Sequence, residues 1–301
     1  MKAQFLTPVV TIFQNDGKTL DLEGNRRVHN FLIENGVDGL VLMGSTGEFF
    51  SMSLETQKAF VDFIAETLRG RTRIFIGASR MQIDETIELC NYAVSKGLPE
   101  VMLVSPYYFR LPEDALEAYY DQIAEHTDAR IYLYNFPDRT GHDLTPELVC
   151  RLAMKHANIC GIKDTVTTMG HTSDIMSMVL PLRPDFEVFS GYDDNLVHNI
   201  LGGGAGCIGG LSNLIPETCA AWASAIRENN LEEMVRLQSY INDAMAIYKI
   251  CTPFIPAVKY AMNVRGLGIS EACSKPILPP SGEQQAQIRA LMEKLDIRPI
   301  R

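Results

Sequence analysis

The sequence has no run of ~18 consecutive apolar residues, the length a helix needs to cross a bilayer, so a membrane-spanning reading has no support. Its first residues, Met-Lys-Ala-Gln-Phe-Leu, lack the zones of a secretory signal and lead directly into a strand-like segment. The seven cysteines (Cys90, Cys150, Cys160, Cys207, Cys219, Cys251 and Cys273) are scattered and include no CxxC pair. Their number and spacing argue against a disulfide framework or zinc knuckle and for a reducing, cytoplasmic setting. The six histidines (His29, His126, His142, His156, His171 and His198) show neither HxxxH nor HExxH spacing, so the sequence gives little ground for a metal site. No GxGxxG opens a helix after a strand, which removes the dinucleotide fingerprint. Positive charge is also scarce: 27 Lys and Arg against 37 Asp and Glu leave a formal net charge of -10, with a pI of about 5.1. Such a chain repels nucleic acid and anionic lipid, whereas a small anionic substrate needs only a few local positive groups.

What is present is an ordinary globular composition, 46% hydrophobic and 21% charged over 301 residues. Short β-branched and aliphatic runs recur: FLTPVVTIF from Phe5, GLVLMG from Gly39, RIFIGAS from Arg73 and EVMLVSP from Glu100. They continue with RIYLYN from Arg130, NICGIKDT from Asn158, FEVFSG from Phe186 and AGCIGGL from Ala205. These runs are continuous rather than alternating, as parallel strands covered on both faces require. Segments of helical period separate them. Ser53-Leu54-Glu55-Thr56 opens one, and Thr145 before Pro146 caps another. Eight β-then-α units over roughly 210 residues predict a (β/α)8 barrel; an open, doubly wound sheet is the alternative. Beyond about Pro216 the pattern is helical only, as in LEEMVRLQSYINDAMAIYKI and SGEQQAQIRALMEKL. The expected organisation is therefore a barrel over 1–215 and a C-terminal helical extension over 216–301. Gly202, Gly203, Gly204 and Gly206 precede strand eight, the wrong side for a barrel phosphate loop, so tight packing is their better explanation.

In a barrel, chemistry sits at the C-terminal ends of the strands. Lys163 interrupts the apolar stretch Ile159-Cys160-Gly161-Ile162 on a strand expected to be buried. Burial disfavours an ammonium and makes a nucleophilic amine accessible; a lysine reaching solvent or pairing with Asp164 is the alternative. Tyr134 ends the neighbouring strand, where its phenol could pass protons or simply fill the core. Ser45 and Thr46, between Gly44 and Gly47, form a turn whose hydroxyls and backbone N–H groups suit a carboxylate, or a tight βα turn alone.

Taken in order, GSTGEF at Gly44, SPYY at Ser105, YNFPDRTG at Tyr134, GIKDT at Gly161, SGYDD at Ser190 and TPF at Thr252 resemble one family. It comprises the pyruvate-dependent class I aldolases and lyases, including dihydrodipicolinate synthase, N-acetylneuraminate lyase and the 2-keto-3-deoxy-sugar-acid aldolases. The resemblance covers nearly the whole chain. It implies that Lys163 forms the Schiff base and that Tyr134 passes protons to and from the intermediate. It implies that Ser45 and Thr46 hold the keto acid's carboxylate, with Ser45 also in the proton relay. Tyr108 matches a relay tyrosine that reaches in from a neighbouring subunit, while Gly191 and Ile208 match positions whose backbone lines the pocket. The resemblance further implies a homotetramer, a keto acid and an aldehyde as partners, and no metal or organic cofactor.

YNFP, GIKDT, GYDD and TPF look most like the sugar-acid aldolases. Arg139 instead resembles the arginine with which dihydrodipicolinate synthase grips its second substrate's carboxylate; an exposed charge or a pair with Asp138 is the other reading. Phe109 departs from the asparagine common in the synthases, and Ser45 from their usual threonine. A sugar-acid aldolase is the favoured expectation, dihydrodipicolinate synthase the alternative, and a non-catalytic keto-acid-binding protein the remote one.

Overall fold

The computed structural model describes residues 2–300. Eight strands form a closed barrel in chain order: β1 Gln4–Pro8, β2 Gly39–Leu42, β3 Arg73–Gly77, β4 Glu100–Val104, β5 Arg130–Asn135, β6 Ile159–Asp164, β7 Glu187–Ser190 and β8 Gly206–Ile208. This is the (β/α)8 barrel with a C-terminal helical extension that the unit count predicts. Along these strands nearly every residue is buried, which explains the continuous apolar runs. No helix among the described residues is long and apolar enough to cross a membrane.

The chain divides into two compact units, Phe5–Met52 with the segment from Gly209 onward, and Lys2–Gln4 with Ser53–Ile208. In the first, β1 pairs in parallel with β2, Leu6 opposite Gly39. The run from Phe5 is expected to be strand throughout, yet the strand ends at Pro8. Beyond it, the Val10 amide donates to Asn213 Oδ1 at 3.1 Å and the Ile12 amide to Asn25 Oδ1 at 3.0 Å. The Val9 amide still donates to the Val41 carbonyl at 3.0 Å, and beyond it side-chain amides replace the strand partner. The C-terminal helices of this unit include Pro216–Arg227, Leu231–Ala244, Ile255–Val264 and Gly282–Lys294. The last opens with a capping box between Ser281 and Gln284.

In the second unit β3 to β8 are joined by parallel ladders, with helices between them. Ser53 and Thr145 cap their helices as the sequence predicts, accepting from the Thr56 and Leu148 amides. The strand beginnings carry an ionic layer. Arg73 donates to Glu100 at 2.9–3.0 Å, to Glu187 at 2.5 Å and to Gln4 at 2.9 Å. Burial pushes Glu187 up, but hydrogen bonds from Arg73 and Tyr132 outweigh it and hold the carboxyl below its ordinary range. Above this layer Phe75 packs edge to face with Tyr132 and Phe189, and the Arg73 guanidinium lies 4.6 Å from the Phe75 ring centre. Gly161 makes room for the Tyr132 ring: a Cβ there would lie 2.7 Å from it and 2.4 Å from the Glu187 carbonyl oxygen. Gly206 approaches the Gln4 backbone, and Gly204 the Asn199 side chain, just as closely. That agrees with the packing role expected of the glycines before β8.

Candidate active site

Two positions further along β6 than Gly161 stands Lys163, only 6% exposed. Alternation along a strand puts residues 161 and 163 on one face, the face that at Gly161 meets the Tyr132 ring. Its neighbour in register on β5 is Tyr134, itself 5% exposed. The ammonium nitrogen lies 4.4 Å from the centre of that phenol ring, where the ring quadrupole attracts a cation. Tyr134 also stacks on Phe136 at 5.9 Å. Lys163 neither reaches solvent nor turns towards Asp164.

Asp164 faces the opposite way, into the helical layer. Its carboxylate accepts from Asn135 Nδ2 at 2.9 Å and Thr172 Oγ1 at 2.5 Å, and faces His171 Nδ1 at 2.9 Å. His171 Nε2 meets the Leu144 carbonyl oxygen at 3.2 Å and Asp143 Oδ2 at 3.3 Å. Oxygen on both sides of the ring makes both nitrogens donors, the arrangement of an imidazolium. Burial lowers its pKa, yet the Asp164 bond and the charges of Asp164 and Asp143 outweigh this and raise it above the ordinary value. Nothing in the sequence around His171 signals this role, because its spacing to the other histidines fits no metal pattern.

Gly191 follows β7, and its amide donates to the Asp164 carbonyl at 2.8 Å. A Cβ there would fall 1.9 Å from Thr165 Oγ1, so only glycine fits. Ile208 ends β8 fully buried. Cys207 beside it donates to the Tyr192 carbonyl, and burial pushes its thiol well up, so it is a packing group rather than a nucleophile. Tyr192, the tyrosine of the SGYDD motif, has its pKa raised by burial and lies in the field of Asp138, Tyr134 and Arg139. Arg139 sits on a short helical turn, Pro137–Thr140, exposed, with its guanidinium 5.6 Å from the Phe136 ring centre. Tyr108 and Phe109 are 79% and 71% exposed on the loop after β4, with rings packed edge to face at 4.8 Å.

In the other unit, Ser45 and Thr46 follow β2 in a turn closed by the Gly47, Glu48 and Phe49 amides, which return to Gly44 and Ser45 carbonyls at 3.0–3.4 Å. The anion nest expected of this turn therefore does not extend over those three amides. Thr46 is 5% exposed. Glu48 holds the turn from behind, at a left-handed φ of 58°. Its fully buried carboxylate accepts from Lys259 Nζ at 2.6 Å, and from the Ser274 amide and hydroxyl at 2.7 and 2.8 Å. Lys259 also donates to the Ala272 carbonyl at 2.8 Å. Two buried charges 211 residues apart are thus paired, and each makes further hydrogen bonds.

The model of the dihydrodipicolinate synthetase family matches residues 1–295. A relative from Escherichia coli K12, named "Probable 2-dehydro-3-deoxy-D-pentonate aldolase YjhH", is 38% identical over 295 residues, covering 98% of each chain. A 4-hydroxy-tetrahydrodipicolinate synthase from Kosmotoga olearia is 30% identical over 285 residues, 95% of each chain. The crystal structure of YagE, a prophage protein of E. coli K12 in complex with pyruvate, matches with a TM-score of 0.95 at 34% identity. That match covers 98% of this chain and 99% of the other.

Proposed function

This chain belongs to the dihydrodipicolinate synthetase family and is a lyase of that family, and from that premise we infer that it cleaves a 2-keto-3-deoxy sugar acid to pyruvate and an aldehyde. The observation that carries the reading is the buried Lys163–Tyr134 pair at the ends of β6 and β5, with nitrogen and phenol ring 4.4 Å apart. The 38% identity to YjhH, named a probable pentonate aldolase, against 30% to the synthase, supports the sugar-acid substrate.

The Lys163 amine adds to the C2 carbonyl and expels water, giving an iminium. The C3–C4 bond then breaks, its electron pair passes into the enamine, and the C4 hydroxyl gives its proton to Tyr134. Tyr134 returns a proton to C3 and the imine hydrolyses to pyruvate and free lysine. Ser45 and Thr46 receive the substrate's carboxylate, with Ser45 also passing protons, and the backbone at Gly191 and Ile208 lines the keto-acid pocket. Tyr108 completes the relay from a second copy of the chain, and its 79% exposure in one chain supports that role. The assembly is a cytoplasmic homotetramer, a dimer of dimers.

Arg139 supports a second reading, condensation of pyruvate with aspartate semialdehyde. Its exposed guanidinium is shaped for a carboxylate. The test is steady-state kinetics on 2-keto-3-deoxy pentonates and gluconate beside the synthase reaction. A higher kcat/KM for a sugar acid supports the aldolase, and a higher value for aspartate semialdehyde replaces it with the synthase.

A further inference from the structure

We propose that His142 is a positioning residue that fastens both ends of the loop carrying Tyr108 and releases it in acid. The loop joins β4 to the helix Glu113–Glu125 and exposes Tyr107, Tyr108, Phe109 and Arg110 in succession. One imidazole reaches its start and its finish. His142 Nε2 lies 2.7 Å from Ser105 Oγ, and Nδ1 faces the Leu111 amide at 3.2 Å. A backbone amide can only donate, so Nδ1 is the bare nitrogen and Nε2 carries the proton. The ring is therefore neutral and donates to Ser105. His142 is 5% exposed, and Thr140 Oγ1 donates to its carbonyl at 2.8 Å. The same residue thus ties the Tyr108 loop to the segment that carries Arg139.

Protonation would place an N–H on Nδ1 against the Leu111 N–H. Donor would face donor, and the end of the loop would lose its anchor. The charged groups near the ring are Arg110 and Asp143, and Tyr120 stands behind Ser105. Burial first, then Arg110, holds the imidazole below its ordinary pKa, while Asp143 opposes them. A folded-state value below the unfolded one means that the latch holds at neutral pH and is lost as pH falls through the lowered value.

The anchoring stands on geometry alone; its catalytic consequence rests on the relay role proposed for Tyr108. The test is amide exchange of the Tyr107–Leu111 segment, with turnover, in the wild type, His142→Ala and His142→Asn. The asparagine oxygen can replace Nδ1 as acceptor but does not titrate. At neutral pH, His142→Ala should exchange there roughly tenfold faster or more, from loss of one hydrogen bond, while His142→Asn stays protected. In acid the wild type should lose protection relative to His142→Asn. His142→Ala should also lose kcat, while pyruvate is still trapped on Lys163 by borohydride. Unchanged exchange in His142→Ala, or an acid step that persists in His142→Asn, overturns the latch. Faster exchange with unchanged turnover overturns its catalytic consequence. If the wild type traps no pyruvate, the aldolase reading fails, and the exchange data still judge the latch.

Discussion

Asn135 donates to the Asp164 carboxylate at 2.9 Å, one residue beyond Tyr134 and Lys163 on the same two strands. The inward pair and the outward pair are consecutive in register, so whatever fixes Asn135 and Asp164 also fixes the height of the lysine beside the tyrosine. Thr172 and His171 complete the outward set from the helix Met169–Val179, and Asn135 Oδ1 accepts the Leu144 amide at 3.0 Å. Asp164→Ala removes the acceptor that Asn135, Thr172 and His171 share, and leaves the buried Thr172 hydroxyl without it. It should cost about 3 kcal/mol of stability and lower kcat more than it changes KM. Urea unfolding beside steady-state kinetics checks both.

The His171 pair carries a pH signature. Its folded pKa lies above the ordinary imidazole value, so the imidazolium's contribution is fully present below about pH 6.5 and fades as pH rises through the folded value. The stability of the wild type minus that of His171→Gln, followed by urea unfolding from acid to mildly alkaline pH, should shrink as pH rises. A flat difference would remove the ion pair from the account.

Glu48 and Lys259 are both inaccessible to solvent. Lys259→Met strands a buried carboxylate and should destabilise by about 3–5 kcal/mol, while Glu48→Gln with Lys259→Met recovers part of the loss. A double-mutant cycle measures the coupling. Strict additivity would show that the pair does not act as a unit.

Gly161 cannot carry a side chain without moving Tyr132 or the β7 backbone. Gly161→Ala should therefore lower stability by about 2 kcal/mol or more. Borohydride trapping of pyruvate should weaken with it, because Lys163 lies two residues along the same strand, on the face that would have to shift.

The barrel was legible because parallel strands covered on both faces leave an unmistakable apolar run, and because Lys163 and Tyr134 stand out as polar residues in such runs. The end of β1 was not, because Asn213 and Asn25, 203 and 13 residues away from the amides they serve, terminate its pairing. Glu48 belongs to the GSTGEF motif, but its partner Lys259 lies 211 residues on and has no local pattern. His142 and His171 gave no signal because histidine spacing speaks to metals. Their partners here are a backbone amide, a serine and carboxylates, which only the folded loops bring near.

The central claim is that Lys163 forms an imine with a 2-keto acid, and borohydride reduction in the presence of pyruvate followed by peptide mass spectrometry tests it most directly. A reduced pyruvyl adduct on Lys163, absent from Lys163→Ala, is the expected result. No adduct on the folded wild-type protein, or an adduct on another lysine with Lys163 unmodified, would contradict it.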